Sequence, residues 1–212
     1  MSRLPLREAT PLRRVNTHLA TVVLLVLAAG VLLALPATAS AHLSKSQKTY
    51  FKMMLRFEAQ EFAGSVGLLD TWCDTAEMNR HDLEDLINAN NPDDKPEIQA
   101  CEEWAADFAR EVRKMVVADK PGAIRSINKF YAETKPWFKT KSGKRDLREG
   151  TESLRGAFSA LYDAYTHLGL AAEALSAADF GNFDAEYARA QSARDLALSV
   201  FDGGMEQLRG LL

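Results

Sequence analysis

Five leucines, Leu147, Leu154, Leu161, Leu168 and Leu175, recur every seven residues. Four positions after each of the first four stand Thr151, Phe158, Tyr165 and Ala172. A strand cannot use this spacing, because its side chains alternate faces and an odd repeat would throw successive leucines to opposite sides. In a helix the same positions form one apolar seam, which needs a partner along its whole length. A flanking row, Gly150, Ala157, Ala164, Ala171 and Ala178, is small throughout and lets that partner's backbone come close. The following segment repeats the arrangement. Tyr187, Leu198, Phe201, Met205, Leu208 and Leu212 are large, whereas Ala190, Ala197 and Gly204 are small. With Phe180-Gly181-Asn182 between them, the two segments read as an antiparallel helical hairpin. Heptads of this kind describe packing inside one bundle and also a self-associating coiled coil, so a homo-oligomer through the heptad helix stays open.

Upstream, Ser44 and Gln47 form a capping box at the start of a helix running to about Met78, with Phe51, Leu55, Phe62, Val66, Leu69 and Cys73 on one stripe. Asn79 then reads as the cap of a short helix with Leu83, Leu86 and Ile87 inward, and Asn90-Asn91-Pro92-Asp93-Asp94 as a turn. A further helix begins at Pro96 and turns Ile98, Cys101, Ala105, Phe108, Val112 and Met115 to the core. Pro121 marks a boundary before another helix with Ile124, Ile127 and Tyr131 inward. Residues 137–144 read as a loop. The fold class is all-α: an antiparallel helical bundle of four to five helices.

The bundle does not begin at residue 1. Arg3, Arg7, Arg13 and Arg14 precede an uncharged run from Leu19 to Leu35, followed by Pro36 and Ala39-Ser40-Ala41. A basic start, an apolar middle and a small-residue end define a secretory signal peptide over residues 1–41, with the bundle domain in 42–212. The chain is therefore expected to be exported: secreted, periplasmic or in the cell envelope. The alternative is an uncleaved anchor, for which seventeen apolar residues are at the short limit. The whole chain carries 26 basic and 29 acidic side chains, and the leader takes four bases and one acid with it, leaving a net charge of −6.

Two cysteines, Cys73 and Cys101, lie near the facing ends of the first two long helices as read above. In an antiparallel pair they would sit level, and an oxidising address then predicts a disulfide. Chemistry is otherwise sparse. None of the four histidines, His18, His42, His81 and His167, follows a glutamate by three residues, as di-iron bundles require. No haem-attachment, phosphate-loop, nucleophile-elbow or zinc-protease pattern occurs. No catalytic residue, cofactor or metal site is assigned, and the expectation is a non-enzymatic protein. Glu58 and Arg194 both intrude on apolar stripes, which predicts a polar pair in the core or a small polar pocket.

Charge is divided sharply along the chain. From Glu58 to Asp107 there are fourteen acids and two bases; from Arg110 to Arg148 there are twelve bases and four acids. Neighbouring helices of opposite charge would account for this by self-complementarity. The functional alternative rests on a basic aromatic loop, Lys135, Trp137, Lys139, Lys141, Lys144, Arg145 and Arg148, as an anion-binding surface. Cations at the start of a helix oppose its dipole unless an anion sits there, and aromatic rings beside them suit a membrane interface. Anionic lipid, an acidic wall polymer or an acidic protein would fit; nucleic acid would not suit an exported protein of net negative charge. The competing function is a ligand-sensing or ligand-carrying bundle with its pocket around Glu58 and Arg194.

Overall fold

The computed structural model describes residues 43–212; the leader expectation falls outside the described residues. Four long helices account for nearly all of them: α1 (Lys45–Ala89), α2 (Lys95–Thr134), α3 (Lys141–Ser176) and α4 (Phe180–Arg209). Two single 3-10 turns, Pro92–Asp94 and Lys135–Trp137, sit in the first two connections, and no strand occurs among the described residues.

Helix α1 opens on the capping box: the Ser44 hydroxyl accepts from the Gln47 amide, and the Gln47 side chain accepts from the Ser44 amide. It does not stop at Met78. Asn79 lies inside the helix, because nothing between Ala76 and Ala89 breaks it and Ala76 and Leu83 extend the same buried stripe. The end comes at Asn90, which turns left-handed at φ 48° and gives its amide to the Ile87 carbonyl. Helix α2 likewise runs through Pro121 instead of ending there. Proline removes the hydrogen bond to the carbonyl four residues back, which belongs to Val117. Both residues are exposed, so water can take that carbonyl and the helix survives. The two segments read as short helices are thus continuations, and the bundle has four helices.

Side-chain pairs fix the arrangement. Start of α1 meets end of α2, where Phe51 packs on Phe130 with ring centroids 5.0 Å apart. Lys120 of α2 reaches Asp163 of α3 at 3.0 Å, and Asn128 accepts from Arg155 at 2.7 Å. His167 of α3 meets Glu186 of α4 at 2.7 Å, and Gln207 of α4 donates to Glu149 at 3.0 Å. Back on α1, Glu77 accepts from Tyr187, and Lys48 donates to the terminal Leu212 carbonyl at 3.0 Å. Every neighbouring pair is antiparallel, giving an up-down-up-down ring. Across its diagonal, Phe62 of α1 meets Phe158 of α3, and the Tyr165 hydroxyl donates to the Ser65 carbonyl at 2.5 Å.

The leucine seam lies at the centre of this ring. Leu147, Leu154, Leu161, Leu168 and Leu175 are all fully buried, as are Ala157, Ala164 and Ala171 beside them. Opposite, Ala190 and Ala197 are fully buried and Gly204 is buried. The seam is spent inside one chain, and residues 43–212 close their own core. Ala178 departs from the small row, lying in the turn after α3 at φ 53°.

Candidate functional site

The seven residues of the basic aromatic loop come together on the connection between α2 and α3 and on the first turns of α3. The connection is pinned from beneath. Thr134 is buried and donates to the Phe130 carbonyl at 2.8 Å, and Phe138 is fully buried against Phe51. Trp137 is half-buried, its ring edge-on to Tyr50 of α1 at 5.5 Å. Thr140 then caps α3 by accepting from the Gly143 amide at 3.1 Å. The two aromatic side chains therefore clamp the loop onto the bundle, and what projects outward is charge.

That charge is partly neutralised. Arg145 pairs with Asp146 and Glu149, and Arg148 with Glu152. Lys135 lies over the Tyr131 ring at 5.5 Å, and Lys139 donates to the Pro136 carbonyl at 3.1 Å. Lys141 and Lys144 are exposed and have no ion-pair partner among the described residues.

The start of α1 belongs to the same end, through Tyr50 against Trp137 and through Lys48 on the last carbonyl of the chain. It carries Lys45, Lys48, Lys52 and Arg56, and no acid occurs between Ser44 and Glu58. Sequence reading missed this stretch, although the run of bases is plain once α1 is known to lie beside the loop. Here too is a shallow, open depression of about 760 Å³, lined by Ser44, Lys45, Ser46, Thr49, Tyr50 and Met53.

The opposite end is acidic. The α1–α2 hairpin brings Asp82, Glu84 and Asp85 together with Asp93, Asp94 and Glu97, and the start of α4 adds Asp179 and Asp184. Arg80 works there as a structural cation, pairing with Glu84 and with Asp184 while lying over the Phe180 ring at 5.5 Å. The charge split is thus expressed as two ends of one bundle. Because the acidic run spans a hairpin, its two arms fold onto each other. Between the two ends, neighbouring helices match in charge at Arg113–Glu173 and Lys120–Asp163.

Glu58 and Arg194 do not meet. Glu58 is 1% exposed and accepts from the Ser126 hydroxyl at 2.8 Å. Its burial raises the carboxyl pKa, the Ser126 bond pulls it down, and Glu61 pushes it up again. Arg194 instead grips Asp70 with two bonds, of 2.5 and 3.0 Å, at the half-exposed α1–α4 seam. The two residues lie at different heights and on different sides of α1, since Glu58 faces α2 and Asp70 faces α4. Apolar stripes cannot tell these sides apart.

The cysteines are free thiols, Cys73 buried and Cys101 half-buried. The disulfide expectation rested on α1 ending near Met78. With α1 continuing to Ala89, Trp72 packs on Phe108, so Cys73 is level with that part of α2. Cys101 lies seven residues nearer the hairpin, about 10 Å along the axis at the helical rise. A disulfide needs Cα atoms within about 7 Å. Burial among Asp70, Asp74 and Glu77 pushes the Cys73 thiol up to about 12. Burial also raises Cys101.

Among the described residues, no group of three or more His, Cys, Asp or Glu is placed to hold a metal ion, and no helix is long and apolar enough to cross a membrane. No family model, curated protein or solved structure matches the chain.

Proposed function

We propose that this is an exported, non-enzymatic bundle that attaches to an anionic partner through its basic end. The observation that carries the reading is the pair Lys141 and Lys144, exposed at the start of α3 without ion-pair partners among the described residues, beside a second basic run on α1. Cations at a helix start meet an unfavourable dipole, which an external anion would reverse. The surrounding scaffold supports the same reading: Phe138 and Trp137 pin the loop to the bundle, so binding has to order the lysine side chains but not the backbone that carries them. The carrier alternative has no observation in its favour, since Glu58 and Arg194 are held by separate partners.

Binding to a soluble polyanion such as dextran sulfate tests the proposal. The chain starting at His42 should bind despite its net negative charge, and binding should fall steeply with salt, because exposed charges are screened over about 8–10 Å. Lys141→Glu with Lys144→Glu should abolish binding while leaving the melting temperature almost unchanged. A charge-reversed variant that binds like the wild type would reduce the loop to a connector. Export is part of the same proposal: N-terminal sequencing of the mature protein should begin at His42, or at Ser40 if cleavage follows Ala37-Thr38-Ala39, and an intact membrane-bound product would favour the anchor instead.

A further inference from the structure

We infer that the anionic partner is a phospholipid bilayer, and that the bundle contacts it through the exposed face at the start of α1. This rests on the reading of the basic end above and names its partner.

The face is amphipathic in a way the loop is not. Met53 and Phe57 are one helical turn apart and point outward, 55% and 46% exposed. Phe51, Leu55 and Glu58 meanwhile turn into the core. Exposed apolar side chains standing singly are ordinary on any protein. This pair stands among Lys45, Lys52 and Arg56, all exposed and none with an ion-pair partner among the described residues. A soluble polyanion would use those charges and leave Met53 and Phe57 in water. A bilayer interface uses both, taking the apolar side chains below the headgroups while the long basic side chains reach up to the phosphates. The loop's own aromatics are already occupied, Phe138 in the core and Trp137 against Tyr50, so they are not the inserting groups.

Two further features agree. The chain enters the bundle at this end, since the apolar run closes at Leu35 and α1 opens at Lys45. The ten residues' reach from one to the other is about 35 Å at most, so a retained run would hold this face near the bilayer. If the leader is instead removed after Ala41, the new amino group adds a positive charge at the same end. The acidic far end is repelled by an anionic surface, so charge alone would stand the bundle with its α1 start downward.

The test compares the chain from His42 to Leu212 with three variants, each checked for helicity by circular dichroism. Probes are phosphatidylcholine vesicles with and without phosphatidylglycerol, and dextran sulfate. Wild type should sediment with phosphatidylglycerol vesicles and not with phosphatidylcholine alone. Met53→Ser with Phe57→Ser should weaken vesicle binding by about tenfold or more, because the apolar area is no longer removed from water, and should leave dextran sulfate binding unchanged. Lys52→Gln with Arg56→Gln should weaken vesicle binding. Val117→Ser, which removes an apolar side chain 72% exposed on α2, should change nothing. If the Met53/Phe57 variant binds vesicles like wild type, or if wild type binds dextran sulfate but not vesicles, the bilayer inference is overturned while the anion-binding reading survives. If wild type binds neither, both fall.

Discussion

Gly150 of α3 and Gly204 of α4 face each other across a tight contact between the two helices. A Cβ added to Gly204 would come within 2.8 Å of Ser153 Cβ and 3.1 Å of the Gly150 carbonyl oxygen. The neighbouring Gly203 has nothing within 4 Å of the same added atom. Two adjacent glycines in one helix should therefore respond to alanine with opposite signs. Gly203→Ala should stabilise the bundle by up to about 1 kcal/mol through helix propensity alone. Gly204→Ala should destabilise it by roughly 1–3 kcal/mol, because overpacking against backbone outweighs that gain. Thermal unfolding followed by circular dichroism decides it; equal shifts in the two variants would mean that α3 and α4 do not cross here.

The turn after α3 carries a second backbone prediction. The Ala178 amide bonds to the Leu175 carbonyl, and the Asp179 amide reaches back to the Ala174 carbonyl, each at 2.9 Å. This is the Schellman closure of a helix, with the left-handed position filled by alanine at φ 53° where glycine is usual. Left-handed backbone costs a residue with a Cβ about 1–2 kcal/mol. Ala178→Gly should raise the melting temperature, offset in part by the greater freedom glycine gives the unfolded chain. A variant less stable than wild type would place the strain elsewhere.

Glu58 makes stability depend on pH. Burial raises its carboxyl pKa above the ordinary value of 4.5, and among the described residues no cation pairs with it. A group that holds its proton more tightly when folded stabilises the fold fully below its unfolded value and loses that contribution as pH climbs through the folded one. At neutral pH the buried carboxylate is therefore a cost. Glu58→Gln keeps an acceptor for the Ser126 hydroxyl and removes the charge. It should stabilise the protein at neutral pH by roughly 1–3 kcal/mol, and the advantage should shrink as pH falls toward the ordinary carboxylate range. An advantage that stays constant across that range would show that Glu58 does not titrate with folding.

The thiols should behave as two separate groups. Non-reducing peptide mapping should recover Cys73 and Cys101 unlinked, and reductant should leave the melting temperature unchanged. In the native protein Cys101 should be alkylated faster than Cys73, whose burial both shields it and holds its thiol protonated. A linked pair would mean that α1 and α2 slide by about two turns relative to the register set by Trp72 and Phe108.

The sequence by itself determined the α3–α4 hairpin. Its leucine repeat and its two small-residue rows called for a close helical partner along the whole seam, and every leucine of the repeat is fully buried within the chain. It also determined the Ser44 capping box, because a cap is a contact between residues three apart. Tertiary structure decided what local signals overstate. Asn79 and Pro121 look like boundaries, yet the helices continue through them because packing of the buried stripes on either side outweighs a weak cap or one missing hydrogen bond. Those two continuations set the α1–α2 register, and the register separates Cys73 from Cys101. Partner choice was equally out of reach: an intruding charge announces itself in a stripe, but which neighbouring helix it faces depends on where around the helix it lies. Glu58 therefore finds Ser126 on α2, and Arg194 finds Asp70 on α1. The charge split was legible as two runs. That they become two ends of one bundle follows only from the hairpin at residues 90–94, which folds the acidic run back on itself and leaves the basic loop beside the start of α1.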